Sequence, residues 1–366
     1  MHYKSRKRRL IFTALIISSM ISFLRSPLSV ANEAQDQVQV QNQGQNRCAG
    51  SCPLELLSPP TKILKGAPRG KTDSSHPRVV LALGGGACKS IAQIGVLRSL
   101  EKHHVPIDYI VGTSMGATIG SLYCAGYTPD QIEELFLKGK IQNAENSIIL
   151  LDTLALPIRK VVWRCKGYPG AGITTGDKFG RFMARYLPAS FDKLKIRFAA
   201  VATDITSGVT SVLTAGNLPK AVQASSTLPG ALRPVLIDGN LFVDGGLRAN
   251  LPTKAARRLG ADIVVAVVCD KPIKPESNKN FNSIKGVVAR TTDIMLADAD
   301  FKEARKSDVV IYPNTDKIPM MTKSRAKLLD GIAAGESAAD EALAKAGDRL
   351  ASYSAARRIS STSSTK

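Results

Sequence analysis

Short apolar runs alternate with longer amphipathic stretches through the middle of the chain. Residues 78–83, 107–111, 196–203, 263–268 and 309–312 read as strands, the first and fourth buried on both faces. Residues 91–101 place Ile91, Ile94, Leu97 and Leu100 on one stripe and predict an amphipathic helix. Further helices are predicted over 117–125, from Pro129, over 175–187 with a cap near Thr175 or Gly176, and over 218–225, 252–259 and 323–346. Residues 235–237 and 241–243 flank Asp238-Gly239, a tight hairpin signal. Strands alternating with helices predict an α/β fold with a largely parallel sheet, in one domain over 78–348.

The flanks read differently. Lys4 to Arg9 precede an apolar run from Leu10 to Leu24, and Ser29-Val30-Ala31 offers a small-x-small cleavage site. Residues 1–31 are therefore expected to be an export signal, with an uncleaved anchor as the alternative. The protein is expected in the periplasm or outside the cell. Residues 32–77 are rich in Gln, Asn, Pro and Ser and are expected to be a disordered linker, as is the tail over 349–366. In an oxidising compartment Cys48 and Cys52 could pair, while Cys88, Cys124, Cys165 and Cys269 are scattered and suggest no metal site.

The 366 residues carry a formal net charge of +20. Six of those positive charges and no acid fall in residues 1–31, leaving +14 for the rest. A basic body favours anionic partners, and peripheral binding to an anionic membrane is expected. No nucleic-acid module is visible, so nucleic acid is not an expected partner.

Candidate chemistry centres on Gly112-Thr113-Ser114-Met115-Gly116. The predicted strand before it and helix after it give the setting of a G-x-S-x-G nucleophile elbow. Helix N-terminal amides there favour developing negative charge. A serine hydroxyl needs a base. All four histidines, His2, His76, His103 and His104, precede Ser114. That excludes the Ser–acid–His chain order of the α/β-hydrolase fold, and His103 and His104 are better placed to interact with a helix C-terminus. The base is expected to be a carboxylate. Asp244, at a strand end before Gly245 and Gly246, has the best context, ahead of Asp108, Asp204 and Asp238. Gly84-Gly85-Gly86-Ala87-Cys88-Lys89-Ser90 lies between a strand and a helix and can aim backbone amides at an anion. It fails the P-loop pattern, since Cys88 and Leu83 occupy the glycine positions, and it fails the dinucleotide fingerprint. An oxyanion hole fits better.

The glycine loop, the elbow and the Asp-Gly-Gly segment, in that order, resemble the patatin-like phospholipase family. The stretches Ile94-Gly95-Val96-Leu97, Ala224 to Gly230 and Asn250-Leu251-Pro252 add to the likeness. The resemblance implies a three-layer α/β/α domain, a Ser114–Asp244 dyad, an oxyanion hole from the amides of Gly85, Gly86 and Ala87, and Lys89 as the family's basic residue. It implies lipid acyl ester substrates, of phospholipase A or lysophospholipase type, and no metal or organic cofactor. The loop departs from the family pattern at Ala87 and Ser90, where glycine is usual. Two other readings follow: an inactive lipid-binding member, and a carboxylesterase for short soluble esters. Cys88, beside Lys89 near a helix start, reads as a small turn residue or a redox-sensitive thiol.

Overall fold

The computed structural model describes residues 62–63, 77–146, 172, 175–270 and 272–347. By its contacts the chain divides into residues 1–57 and 58–366, and every described residue lies in the second unit. The expected export signal, the Cys48–Cys52 pair and the tail over 349–366 lie outside the described residues.

Nine strands form one sheet: β1 (Lys62–Ile63), β2 (Val79–Leu83), β3 (Tyr109–Thr113), β4 (Arg197–Asp204), β5 (Val209–Leu213), β6 (Val235–Ile237), β7 (Asn240–Asp244), β8 (Ile263–Val267) and β9 (Val309–Ile311). The main order is β1-β5-β4-β3-β2-β8-β9. The centre, β4-β3-β2-β8-β9, is parallel, as expected from the sequence. β5 and β7 run antiparallel to β4. β1 falls inside the segment expected to be linker, where two of its residues add a parallel edge strand to β5. β6 and β7 form the expected hairpin, with Asp238 and Gly239 both at positive φ, 48° and 80°. That is the turn whose twist matches paired strands.

Alternation along the central strands explains the layers. Val79, Leu81 and Leu83 pack into one core with Ile110, Phe198 and Val265, whereas Val80 and Ala82 pack into a second with Val111, Val201 and Val264. A strand with period-two side chains and two apolar faces must be covered on both. The first face is covered by α1 (Ala92–Lys102), α2 (Met115–Cys124), α3 (Pro129–Leu137), α5 (Asp177–Tyr186), α6 (Leu218–Ser225) and α10 (Arg325–Ala346). α4 (Lys140–Asn146) packs with α3 and α5. The second face is covered by α8 (Thr253–Arg258) and α9 (Ile284–Ala304), with α7 (Gly246–Ala249) leading in. The result is the three-layer α/β/α arrangement.

One expectation about the helices needs correction. α1 is buried nearly all round rather than along one stripe, because α10 lies across its outer side. Gly95 and Gly335 make this crossing possible: a Cβ on Gly95 would run into the Ile332 carbonyl, and one on Gly335 into the Ala92 carbonyl. The cap of α5 is Gly176, in the left-handed region. α4, α9 and β5 are elements the apolar pattern did not announce.

Candidate active site

The serine and the acid meet through strand register. β3 pairs with β4 up to Thr113↔Val201, and β7 takes over the same edge of β4 at Ala202↔Asp244. Ser114, the next residue after β3, therefore arrives beside Asp244, the last residue of β7. Its Oγ donates a 2.6 Å hydrogen bond to Asp244 Oδ2.

Ser114 stands at φ 54°, ψ −122°, in a turn so sharp that α2 begins at the following residue. Such a conformation costs a non-glycine residue about 1–3 kcal/mol and persists only where the surroundings enforce it. They do so here. Ser225 Oγ accepts the Ser114 N–H at 2.9 Å and donates to Val201 O at 2.6 Å. The Ser114 carbonyl accepts from Ala117 N, Thr118 N and Ser226 Oγ. The elbow glycines are steric requirements: a Cβ on Gly112 would sit 2.7 Å from Ala117 Cα, and one on Gly116 would run into the carbonyls of Leu83 and Gly84.

Asp244 is buried, and its second oxygen accepts the Gly246 N–H at 2.8 Å. Its own N–H donates to Thr227 O. Burial pushes its carboxyl up to about 6, against the opposing pull of the Ser114 and Gly246 hydrogen bonds. A carboxylate in that range can take a proton near neutral pH and return it. Gly245 leaves space for the Val201 carbonyl, which a Cβ would strike.

The glycine loop passes directly beside the serine: a Cβ on Gly85 would lie 3.2 Å from Ser114 Cβ. Its amides are not equivalent. Gly85 N–H donates to Asn250 O at 3.2 Å, so this amide is already engaged and leaves the expected set of donors. Lys89 N–H donates to Gly86 O and Cys88 N–H to Met320 O. The amides of Gly86 and Ala87 have no partner among the described residues, and both residues are half-exposed. They open a short 3₁₀ turn, Ala87–Ile91, whose first N–H groups have no acceptor within the turn. Ala87 sits at φ 49°. The position does require the left-handed region, and alanine there costs about 1–2 kcal/mol. The Lys89 side chain is buried and reaches Asp293 at 3.5 Å, so its charge serves the protein rather than the loop's open side. Ser90 and Cys88 are buried behind the loop.

The remaining candidates lie elsewhere. Asp108 Oδ2 accepts Val79 N–H, and Asp204 Oδ1 accepts from Thr206 and Ser207 in a turn. His103, at the end of α1, bonds Asp340 of α10 at 3.0 Å. Three residues were not singled out from sequence as members of the site: Ser225, Ser226 and Asn250. All fall in stretches that carried the family resemblance. Among the described residues, no helix is long and apolar enough to cross a membrane.

Comparison with known proteins matches residues 81–257 to the family "Patatin-like phospholipase". The human patatin-like phospholipase domain-containing protein 6 is 34% identical over 192 residues, which are 52% of this chain and 13% of that protein. An uncharacterized NTE family protein of Mycobacterium tuberculosis is 32% identical over 195 residues, 53% of this chain and 49% of its own. The chain thus spans about half the length of the second relative and far less of the first. Among solved structures, VipD from Legionella pneumophila aligns with a TM-score of 0.40 and 16% identity, covering 74% of this chain and 67% of that one. The matched segment runs from β2 through the elbow and the Asp-Gly-Gly turn into α8, and over it this chain is similar to the patatin-like phospholipase family.

Proposed function

We propose that the protein is a lipid acyl hydrolase working through Ser114 and Asp244. The observation that carries this reading is the 2.6 Å bond from Ser114 Oγ to a buried carboxylate, on a strained elbow beside a loop with two unpartnered amides. Asp244 takes the hydroxyl proton as Oγ attacks the ester carbonyl carbon. The tetrahedral oxyanion rests on the Gly86 and Ala87 N–H groups; one such donor contributes about 3 kcal/mol to transition-state stabilisation. Collapse breaks the ester bond, and the leaving alcohol takes the proton from Asp244. Asp244 then deprotonates a water that attacks the acyl-serine, releasing the fatty acid and restoring Ser114.

Lipid rather than soluble ester is the favoured substrate because Leu228 and Leu247 flank the acid, each next to a residue that bonds it, and both are more than half exposed. Large apolar side chains held in water at a site mark a surface for an apolar partner. The basic composition supports work at an anionic membrane, and the character of residues 1–31 supports an exported enzyme. The reading as a binding protein without turnover has one observation in its favour, the alanine at φ 49° in the loop. The test is fatty acid release from mixed phospholipid vesicles by the wild type beside Ser114→Ala, with a serine-directed fluorophosphonate label as second readout. Serine-dependent release supports the hydrolase; absence of both release and labelling in folded protein supports the binding reading.

A further inference from the structure

Behind the glycine loop lies a buried polar cluster that acyl transfer does not use. Asn250 follows α7, Asp270 lies just beyond β8, and Asp300 sits on α9; all three are buried. Asn250 Nδ2 donates to Asp270 Oδ2 at 3.0 Å and to Asp300 Oδ2 at 2.7 Å. Asp300 Oδ1 accepts Leu251 N–H at 2.9 Å. From its backbone, the same Asn250 accepts the Gly85 N–H at 3.2 Å. Its side chain also packs on the loop where a Cβ of Gly85 would stand.

Two carboxyls converging on one amide in a dry site cannot both stay ionised. Burial, then the charge of Asp270, pushes Asp300 up to about 8, so Asp300 is the protonated partner near neutrality. The two are hydrogen-bonded to each other, and Lys89 favours the charge on Asp270, although burial still raises it. The other ionisable groups facing the pair are Asp293 on α9, which holds Lys89, the Cys269 thiol, and Tyr312 beyond β9 with Arg305 beside it.

We infer that Asn250, clamped by the Asp270–Asp300 pair, is a positioning residue for the oxyanion loop. It draws the Gly85 amide away from the substrate side and thereby fixes the register in which Gly86 and Ala87 present theirs. A loop with a strained alanine needs such a clamp, because rotation of the Gly86–Ala87 peptide would relieve the strain and turn a donor away. Loss of the shared proton places two negative charges side by side, which loosens the grip on Asn250. The inference rests on the hydrolase reading for its consequence in rate, but the clamp itself can be read without turnover.

The test has two arms on the full chain. In Ser114→Ala protein, the amide resonances of Gly85, Gly86 and Ala87 are followed by NMR from pH 6.5 to 9.5. They shift together with a midpoint near 8, and Asp300→Asn removes the shift. In protein with Ser114 intact, Asn250→Ala lowers kcat on a soluble acyl ester by roughly 10–100-fold with KM little changed. Wild-type kcat declines above pH 8, and Asp300→Asn, which retains a side-chain amide donor toward Asp270, abolishes the decline. Amides that do not titrate, or titrate alike in Asp300→Asn, overturn the clamp. Serine-dependent turnover that is indifferent to both substitutions also overturns it. If wild type shows no serine-dependent turnover while the amides titrate as described, the hydrolase reading fails and the clamp stands.

Discussion

Thr113 and Asp244 pair with consecutive residues of β4, Val201 and Ala202. One is the last residue of a parallel strand and the other of an antiparallel one, so two chain directions end at the same point on one edge. The Ser114–Asp244 contact is thus a consequence of sheet register, and neither residue depends on a mobile loop for its approach. Replacing Ser114 by Ala or Asp244 by Asn is expected to leave the fold intact by circular dichroism. Each lowers ester hydrolysis by about 10³-fold or more, the scale on which nucleophile and base act as a unit. A variant of either kind that retains a tenth of the wild-type rate would remove the dyad from the mechanism.

The pH dependence follows from the acid's surroundings. Asp244 is raised from 3.8 to about 6 in the fold, and only its ionised form can accept the serine proton. Hydrolysis is therefore expected to rise with pH through a midpoint near 6. The sign for stability is opposite: an unfolded chain releases this proton more readily, so the contribution of Asp244 to stability falls as pH climbs from about 4 to about 6. In Ser114→Ala the hydrogen bond favouring the charged form is gone, and the carboxyl titrates at higher pH still. Carbon-detected NMR of the Asp244 carboxyl in that variant checks the direction; a downward move contradicts it.

The parts of this architecture visible in the sequence are those whose buried residues are large and apolar. β2, β3, β8 and α6 are of that kind, and so are the elbow and the Asp-Gly-Gly turn, whose glycines mark close backbone approach. α9 went unseen because the residues it buries are small or polar: Ala297, Asp300 and Ala304. They repeat at helical spacing but give no apolar stripe. β5 hides for a related reason, since Thr210 and Ser211 occupy buried positions in the middle of a five-residue strand. Asn250 was visible as a motif residue, but its partners Asp270 and Asp300 lie 20 and 50 residues further on, and local pattern carries no information across that distance. The loop's donors could be named only as a group. Which amide is engaged depends on the Asn250 carbonyl, reached by folding alone.

Ala87→Gly separates strain from function. Ala87 occupies φ 49°, where glycine avoids a cost of about 1–2 kcal/mol. Glycine also adds about 0.5–1 kcal/mol of unfolded-chain entropy. The net expectation is a gain of up to about 1.5 kcal/mol, seen as a higher denaturant midpoint at unchanged m-value. Hydrolysis should be equal or faster, since the same amide is held with less strain. A loss of stability would mean that the alanine methyl makes packing contacts worth more than the strain.

The apolar rim gives the last prediction. Leu228 and Leu247 are 58% and 55% exposed, each next in sequence to a residue bonded to Asp244, and exposed Arg248 follows Leu247 directly. Insertion of one leucine into a bilayer gains about 1.5–3 kcal/mol, and a cation near an anionic surface about 1 kcal/mol. Leu247→Asp should therefore lower hydrolysis of anionic vesicles by roughly 10–100-fold. A short soluble ester, which needs no insertion, should be cleaved at nearly the wild-type rate. Arg248→Glu should act more weakly, and its effect should fade as salt screens the surface charge, whereas the leucine effect should persist. The decisive quantity is the ratio of vesicle to soluble-ester rates. A ratio unchanged by Leu247→Asp and by Leu228→Asp would separate the apolar rim from substrate capture and return the soluble ester as the better substrate. A ratio that drops for Leu247→Asp and Leu228→Asp alike would place the membrane against the side of the sheet where β3 and β7 end, with Ser114 facing it.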